Sequence, residues 1–460
     1  MGGSSAVILG NGVGICRHLH HISDFVAHPF AAVVARIDDA MQQVMICKSQ
    51  KSIVMDDVFN ISLLILLIGS TIVAAMVTKA AFEKVGVSSL VGFILLGFFI
   101  GLADRQWNLL LEDGRTVYEF LAKLGIIVLL FRVGLESNIA KLFGQLRRAS
   151  LIWIGDVLAS GGLAFCFSYY IFGLSLIPSL FIASALTATS VGVSVGVWHE
   201  ARATKSPLGE TLIDVAELDD ISGIFLMALL FAVVPVLRGA EATPLFSKLT
   251  TTAGIVFLKL LGFGTACAVF SFFLERHILD FFRRFESPPD LMLIVAGIGI
   301  ILSALAGLLG LSVAVGAFFA GLTFSRDPKK VKIDASFNPL HDFLQPFFFI
   351  GIGLSMQVGT LGQALGLGSL LLIVAVFGKL VGDGAMTWAT MGWRAATLVG
   401  ISMIPRAEIA LIIMQRGLHL GKWAVPSYVF SAMVLVSTVT VVGAPLVIRP
   451  LLRLWPQEEH

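Results

Sequence analysis

The sequence predicts an all-α polytopic membrane protein, and three observations support this fold class. Of 460 residues, 57% are hydrophobic and only 13% are charged, which is far more apolar than a soluble globular protein. From about residue 59 onward, apolar windows near the length of a membrane crossing follow one another with short polar breaks. Two regions about 220 residues apart share similar motifs in the same order. Together these features indicate a helical bundle with an internal repeat.

The N-terminal segment differs from the rest because it contains no long apolar run. We expect residues 1–54 to be a poorly ordered extension and residues 55–460 to form the transmembrane domain. The cluster CRHLHHISD (Cys16–Asp24) contains metal-ligand residue types, but a solvated tail is the favoured interpretation. Another interpretation is that translation begins at Met55.

The apolar windows predict about thirteen membrane helices. The windows lie near 59–77, 85–103, 118–135, 149–172, 177–198, 210–236, 253–274, 290–309, 311–325, 341–357, 365–389, 396–416 and 424–450. The shorter windows require neighbouring helices or irregular backbone to satisfy their peptide groups.

Basic residues predict the orientation of the chain in the membrane. Alternate loops carry Lys141, Arg147 and Arg148; Arg202 and Lys205; Arg276, Arg283 and Arg284; and Arg326, Lys329, Lys330 and Lys332. The intervening loops at 173–177 and 358–365 contain neither Lys nor Arg. The positive-inside rule therefore predicts a cytoplasmic C-terminus and, with an odd helix number, an outside N-terminus.

Two motif pairs define the internal repeat. GFFIGL (97–102) resembles AFFAGL (317–322), and LLFRVGLES (129–137) resembles FFFIGIGLSM (347–356). The predicted topology starts the two copies on opposite sides of the membrane. Inverted repeats of this kind are typical of alternating-access transporters, although chance similarity among Gly- and Phe-rich spans is the alternative.

Two adjacent carboxylates, Asp219 and Asp220, lie inside an apolar window. A helical rise of about 1.5 Å per residue places them roughly 14 Å from Glu210, close to the membrane midplane. Ionisable groups are costly there and are functional candidates by default. Adjacent helical positions point about 100° apart, so we expect one carboxylate to face a water-filled cavity and the other a partner helix.

Two predicted spans are interrupted at corresponding positions of the repeat. The first contains SALTATSVGVSVGV (184–197), and the second contains ISMIPRAEIAL (401–411), in which Pro405 removes a backbone donor. Such paired interruptions are typical of a midplane binding site. Freed carbonyls and the hydroxyls suit a small hard cation, unless the hydroxyls bond back to their own helix. The hydroxyl candidates are Thr187, Thr189 and Ser190.

Lys379 is the one lysine in the middle of its span. We expect it to pair with a carboxylate of the helix that carries Asp219 and Asp220. The other interpretation is an i,i+4 pair with Asp383 on its own helix, which we disfavour because Asp383 lies nearer the expected cytoplasmic end.

Arg406 lies beside Pro405 in the second interruption and needs a counter-charge, because an unpaired charge there is costly. Asp156, a further buried carboxylate, and Glu408 are the candidate partners. We expect these residues to form a structural charge pair at the interrupted helix.

The order of these motifs resembles the monovalent cation:proton antiporter family 2, most closely its NapA-type sodium/proton antiporters. The resemblance covers roughly residues 59–450 and rests on TATSVG, DVAELDDISGIFL, the mid-span Lys379 and PRAEIALII. It implies crossed, unwound helices at the ion site, and a mobile core subdomain that moves against a dimerisation subdomain of a homodimer. We expect a location in the bacterial inner membrane.

The resemblance also implies residue roles. Asp220 matches the carboxylate that binds sodium in exchange for protons, and Asp219 matches the neighbour that forms a salt bridge with the lysine matched by Lys379. The chain departs from glutathione-gated potassium-efflux relatives, which typically carry Gln-Asp at these positions and add a nucleotide-binding C-terminal domain.

Other function classes fit the sequence less well. The net charge of +2 and the scattered basic residues do not suggest nucleic-acid binding. A membrane enzyme is disfavoured because the sequence has no nucleophile or metal-ligand set near the two carboxylates. The internal repeat disfavours a passive channel. We therefore expect sodium, or lithium, exchange for protons in a lipid membrane, without a cofactor; potassium/proton exchange on the same fold is the alternative.

Overall fold

A computed structural model describes residues 61–107, 110, 112–136, 150–238, 245–274, 277, 281, 291–325 and 333–457. The expected extension at 1–54 and most of the basic loop residues lie outside these ranges. The contact pattern divides the chain into Met1–Leu67 and Ile68–His460. The packing described below is that of the second unit.

The described residues form helices joined by short turns and breaks, and they contain no β-strand. The helices are α1 (Ile61–Val85), α2 (Ser89–Trp107), α3 (Glu112–Glu136), α4 (Ser150–Ile171), α5 (Leu176–Thr187), α6 (Val191–Glu200), α7 (Pro207–Arg238), α8 (Leu245–Val269), α9 (Leu291–Leu308), α10 (Val313–Phe324), α11 (Ile333–Ser355), α12 (Leu361–Met391), α13 (Trp393–Ser402), α14 (Glu408–Leu420) and α15 (Ser427–Leu454). π-helical turns interrupt α4 at Val157–Gly161 and Phe167–Ile171, and another follows α8 at Phe270–Leu274.

Among the described residues, eight helical segments are long and apolar enough to cross a membrane, counting α5 and α6 as one. Helices α9 and α10 are also apolar but shorter. Many large apolar side chains remain exposed on the outer helices, as a hydrocarbon solvent permits. The prediction of an all-α polytopic membrane protein is therefore confirmed. A described helix overlaps every predicted window, and the number of thirteen crossings stays a prediction.

The repeat motifs lie on helices that pack reciprocally. Helix α2 packs against α11 and α3 against α10, so exchanging the two copies exchanges the two contacts. Glycines allow main chains to touch at both places: a Cβ on Gly353 would lie 2.1 Å from the Ile94 carbonyl oxygen, and one on Gly321 would lie 2.1 Å from that of Phe131. We call α2, α3, α10 and α11 the repeat bundle. Its pairing is the arrangement that a two-fold relation between the copies produces.

The remaining long helices form a second group. Helix α12 packs against α4, α13 and α15, while α5 packs against α7 and α14. We call α4–α7 and α12–α15 the broken-helix bundle, because it contains both interrupted spans. All the sequence-predicted site residues lie in this bundle.

Candidate functional site

The first break separates α5 from α6 at Ala188–Ser190. Helix α5 ends at Thr187, and Ala188 is extended, with φ −66° and ψ 134°. The local sequence favours this ending for two reasons. Ser and Thr hydroxyls can bond to nearby backbone groups in non-helical conformations, and β-branched side chains lose rotamer freedom in a helix. The break therefore exposes main-chain groups that need partners from elsewhere.

The second break, Met403–Ala407, separates α13 from α14 and supplies those partners. The Ser190 backbone N–H donates to the Pro405 carbonyl oxygen at 2.8 Å, and the Thr189 hydroxyl donates to the Met403 carbonyl oxygen at 3.3 Å. Pro405 cannot continue a helix because it has no N–H. The two interrupted spans thus meet at their breaks.

Helix α15 holds the second break in place. The Arg406 backbone N–H donates to the Thr440 hydroxyl at 3.1 Å, and the Ser437 hydroxyl donates to the Arg406 carbonyl oxygen at 2.6 Å. The sequence interpretation missed both α15 residues. Their signal is weak, because Ser and Thr inside a helix usually bond to that same helix.

Two cations neutralise the C-terminal end of α5, which carries the negative pole of the helix dipole. Arg406 Nη1 donates to the Ala188 carbonyl oxygen at 2.7 Å and to Thr189 Oγ1 at 3.1 Å. Lys379 Nζ donates to the Thr187 carbonyl oxygen at 3.1 Å. Arg406 and Lys379 are both 0% exposed.

Three carboxylates surround Lys379. Its Nζ forms a short contact with Asp156 Oδ2 and lies 3.0 Å from Asp219 Oδ2 and 3.7 Å from Asp383 Oδ2. All three carboxylates are 0% exposed. We call these four residues together with Arg406 the buried charge cluster.

The charges of this cluster do not balance. Three ionised carboxylates and two cations leave one excess negative charge in a site without exposed surface. Neither oxygen of Asp383, nor Oδ1 of Asp219, has a hydrogen-bond partner among the described residues. Buried charge is costly unless it is paired, so a bound proton or monovalent cation would neutralise the excess. This is the chemistry the arrangement can support.

Close packing of α4 on α12 brings Asp156 to Lys379. A Cβ on Gly382 would lie 2.7 Å from the Asp156 Cα, and a Cβ on Gly378 would lie 3.0 Å from the Ser160 Cα. The π-helical turn of α4 begins at Val157, and π turns often mark functional sites. The Ser160 hydroxyl donates to Asp156 Oδ1 at 2.7 Å and orients the carboxylate.

Asp219 and Asp220 face different surroundings, as helical geometry requires. Asp219 is fully buried in the cluster, whereas Asp220 is half-buried. The Ser222 hydroxyl donates to the Asp219 carbonyl oxygen at 2.9 Å and accepts a hydrogen bond from Trp153 Nε1 at 2.9 Å. Asp220 is thus the more exposed carboxylate of the pair.

The expected charge pair at the second break differs from the structure. Among the described residues, Arg406 contacts carbonyl oxygens and Thr189, and neither Asp156 nor Glu408 lies within ion-pair distance of it. Asp156 instead contacts Lys379, because the α4–α12 glycines bring it there. Glu408 accepts a short hydrogen bond from the Ser190 hydroxyl.

Two further expectations are changed by the geometry. Asp383 belongs to the cluster together with Asp219, so the two pairings of Lys379 that the sequence presents as alternatives coexist. The Thr187 hydroxyl donates to the Ser184 carbonyl oxygen of its own helix at 2.8 Å. Of the three predicted hydroxyl residues, only Thr189 and Ser190 therefore use their side chains across the break.

Known proteins resemble this chain in sequence and fold. A family model described as the transmembrane sodium/hydrogen exchanger matches residues 70–454. The high-affinity Na⁺/H⁺ antiporter NhaS3 of Synechocystis is 29% identical over 336 residues, covering 72% of this chain and 70% of that protein. The Na⁺/H⁺-K⁺ antiporter GerN of Bacillus cereus is 26% identical over 370 residues, covering 80% and 90%.

A solved structure shows the same fold. The sodium proton antiporter MjNhaP1 from Methanocaldococcus jannaschii, solved at pH 8, aligns with a TM-score of 0.61 and 15% identity, covering 86% of this chain and 97% of that one. The family match extends over both breaks and the whole buried charge cluster. The chain therefore belongs to the transmembrane sodium/hydrogen exchanger family.

Proposed function

We propose that this protein is a secondary active antiporter that exchanges sodium ions for protons across a membrane by alternating access. The observation that carries the proposal is the buried charge cluster at two facing helix breaks. It contains one more carboxylate than cations and therefore attracts a positive charge, and the half-buried Asp220 lies next in sequence to its member Asp219. A proton and a sodium ion that compete for the same carboxylate are coupled, because the binding of one excludes the other.

Asp220 is the proposed binding group for sodium. Its partly exposed carboxylate lies next in sequence to the fully buried Asp219. Sodium is a hard cation that prefers oxygen ligands, and the Asp220 carboxylate supplies such a ligand. A carboxylate that holds either a proton or sodium exchanges one for the other.

Asp219 and Lys379 are the proposed second proton-coupling pair. Lys379 Nζ and Asp219 Oδ2 form an ion pair of 3.0 Å, and Asp219 is the neighbour of Asp220 in sequence, so a charge that arrives at Asp220 acts on this pair. When sodium binding breaks the pair, Lys379 releases a proton in addition to the one from Asp220. Two protons then exchange for one sodium ion, and the cycle moves one net charge.

The net charge makes transport sensitive to the membrane potential. One charge crossing the membrane contributes about 2.3 kcal/mol per 100 mV. We expect an inside-negative potential, set with potassium and valinomycin in proteoliposomes, to speed sodium export by the wild type. Lys379→Gln should weaken or remove this dependence. Wild-type exchange that ignored the potential would leave Lys379 a structural partner only.

The two helix bundles suggest the parts that move. Because α2, α3, α10 and α11 pack through touching main chains, we assign the repeat bundle to a dimerisation subdomain of a homodimer. The broken-helix bundle is the mobile core that carries the ion. We further propose a bacterial inner-membrane location with a cytoplasmic C-terminus, on the basic residues of alternate loops.

Potassium/proton exchange is the second candidate, because GerN, a relative of this chain, is named for sodium and potassium together. A proteoliposome assay separates the candidates. Proton movement is followed with a pH-sensitive dye while sodium, lithium or potassium is added at several pH values. Dissipation of the pH gradient by sodium and lithium supports the first candidate, whereas dissipation by potassium alone would replace it with the second.

A further inference from the structure

A cavity of about 280 Å³ lies away from the buried charge cluster. It is enclosed by the ends of α2 and α11, the start of α3 and the end of α14. The repeat bundle and the broken-helix bundle therefore both contribute to its walls. The predicted topology places these helix ends on the outside of the membrane.

The lining of this cavity is rich in cationic side chains. Arg105, Arg115, Lys123 and Arg416 line it, with Asp104 and Glu119 as the acidic members. The Asp104 carboxylate already has partners. It accepts hydrogen bonds from Arg115 Nη2 at 2.6 Å and from the Leu110 backbone N–H at 2.6 Å. Apart from this ion pair, the charged groups of the lining are three cationic side chains and one carboxylate. They belong to Arg105, Lys123, Arg416 and Glu119.

Arg416 has no counter-charge of its own among the residues that the structure describes. The residue is half-buried, and its side chain forms no hydrogen bond or ion pair with any residue the structure describes. Its Nε lies beyond the reach of solvent. Buried guanidinium groups are normally paired, because desolvating a charge without compensation is costly.

A second unpartnered side chain lies beside it. Gln415 lines the same cavity, is 6% exposed, and its Oε1 has no hydrogen-bond partner among the described residues. An amide offers both donors and an acceptor. The cavity thus contains a free fork of guanidinium donors next to a free amide.

We propose that this cavity binds a small oxyanion, a phosphate or carboxylate group, between Arg416 and Gln415. Guanidinium groups bind such anions through two parallel hydrogen bonds, and the amide adds donors and an acceptor for a protonated oxygen. The ligand is neither sodium nor the proton, so this site is additional to the exchange site. A dissolved anion and an anionic lipid headgroup offer the same chemistry.

The experiment measures the thermal stability of the purified full-length protein in a neutral detergent. Inorganic phosphate replaces chloride at constant sodium concentration and ionic strength, because sodium is itself a substrate. A parallel titration uses short-chain phosphatidylglycerol, with short-chain phosphatidylcholine as its neutral control. The variants are Arg416→Gln and a matched control, Arg453→Gln, at an exposed arginine of α15 outside the cavity.

We expect a saturable rise in the wild-type melting temperature with at least one of the two anions. Arg416→Gln should weaken the apparent affinity by about tenfold or more, and Arg453→Gln should leave it unchanged. A response to phosphate identifies a dissolved anion as sufficient, while a response to phosphatidylglycerol alone identifies a lipid headgroup; either supports the site.

A wild type that responds to neither anion would overturn the proposal, as would an equal response of wild type and Arg416→Gln. If Arg416→Gln does not fold, Lys123→Gln replaces it, because that side chain is exposed at the cavity. It should weaken the response severalfold, and an unchanged response would likewise overturn the site.

Discussion

The two helix bundles solve the problem of packing inside a membrane in different ways. In the repeat bundle, glycines such as Gly321 and Gly353 let main chains touch, and most of the buried side chains around them are apolar. In the broken-helix bundle, ion pairs and side-chain hydrogen bonds replace regular helix at the breaks. The difference indicates that close main-chain packing stabilises the first bundle, whereas ionic and polar contacts stabilise the breaks of the second. Substitutions in the two should therefore fail in different ways.

The sharpest test removes the proposed sodium-binding group. Asp220→Asn should abolish sodium-dependent proton movement in proteoliposomes, because an amide does not alternate between a proton and a cation. The protein should still fold and insert, since Asp220 is only half-buried. Glu210→Gln, in the first turn of the same helix, is the control. Near wild-type exchange by Asp220→Asn would falsify the assignment.

The next test asks whether a charge in the broken-helix bundle also carries stability. Arg406→Ala should lower the free energy of unfolding by about 3–5 kcal/mol and impair transport, because it strips the α5 carbonyl oxygens of their donor. Thermal melting and transport are measured together, with Arg394→Ala at an exposed position as control. Slower turnover with unchanged melting would point to direct ion handling by Arg406.

A substitution in the repeat bundle should instead lower stability through packing, without removing a charge. Gly353→Ala places a Cβ 2.1 Å from the Ile94 carbonyl oxygen, so the backbones must separate at a cost of about 1–3 kcal/mol. Gly443→Ala, which meets no atom within 4 Å, should be neutral or stabilising by up to about 1 kcal/mol. Equal melting temperatures for the two variants would remove the distinction between the bundles.

The smallest effect is expected at Asp383, whose carboxylate has no hydrogen-bond partner in the part of the chain that the structure describes. Asp383→Asn removes the excess negative charge, so we expect it to raise stability by on the order of 1 kcal/mol. Asp156→Asn should lower stability, because this carboxylate contacts Lys379 and accepts from Ser160. Melting curves of the two variants measured side by side check the signs. A loss of stability in both would mean that Asp383 is a needed partner of Lys379.

The sequence predicts those features that depend on one helix at a time. Apolar windows indicate the helices, and Pro405 and the run around Thr189 mark both breaks, because each breaks a local rule. The separation of Asp219 from Asp220 follows from helical geometry alone.

Lateral contacts between helices are not encoded in such local patterns. The position of Asp156 at Lys379 depends on how closely α4 approaches α12 through Gly378 and Gly382. The contacts of Arg406 depend on where α5 ends in space. Unpaired charges in a sequence show that partners exist, and only packing decides which partners they are.

The hydrogen bonds between the two breaks have a consequence for biosynthesis. Ala188 and its donor Arg406 are separated by 218 positions in the chain. At about 5–20 residues per second, the ribosome needs roughly 10–40 s to make that stretch. During this interval the first break is already synthesised but lacks the donor that the Ala188 carbonyl oxygen has in the folded protein. The α5–α6 segment therefore reaches its final hydrogen bonding only after α13 and α14 have been made.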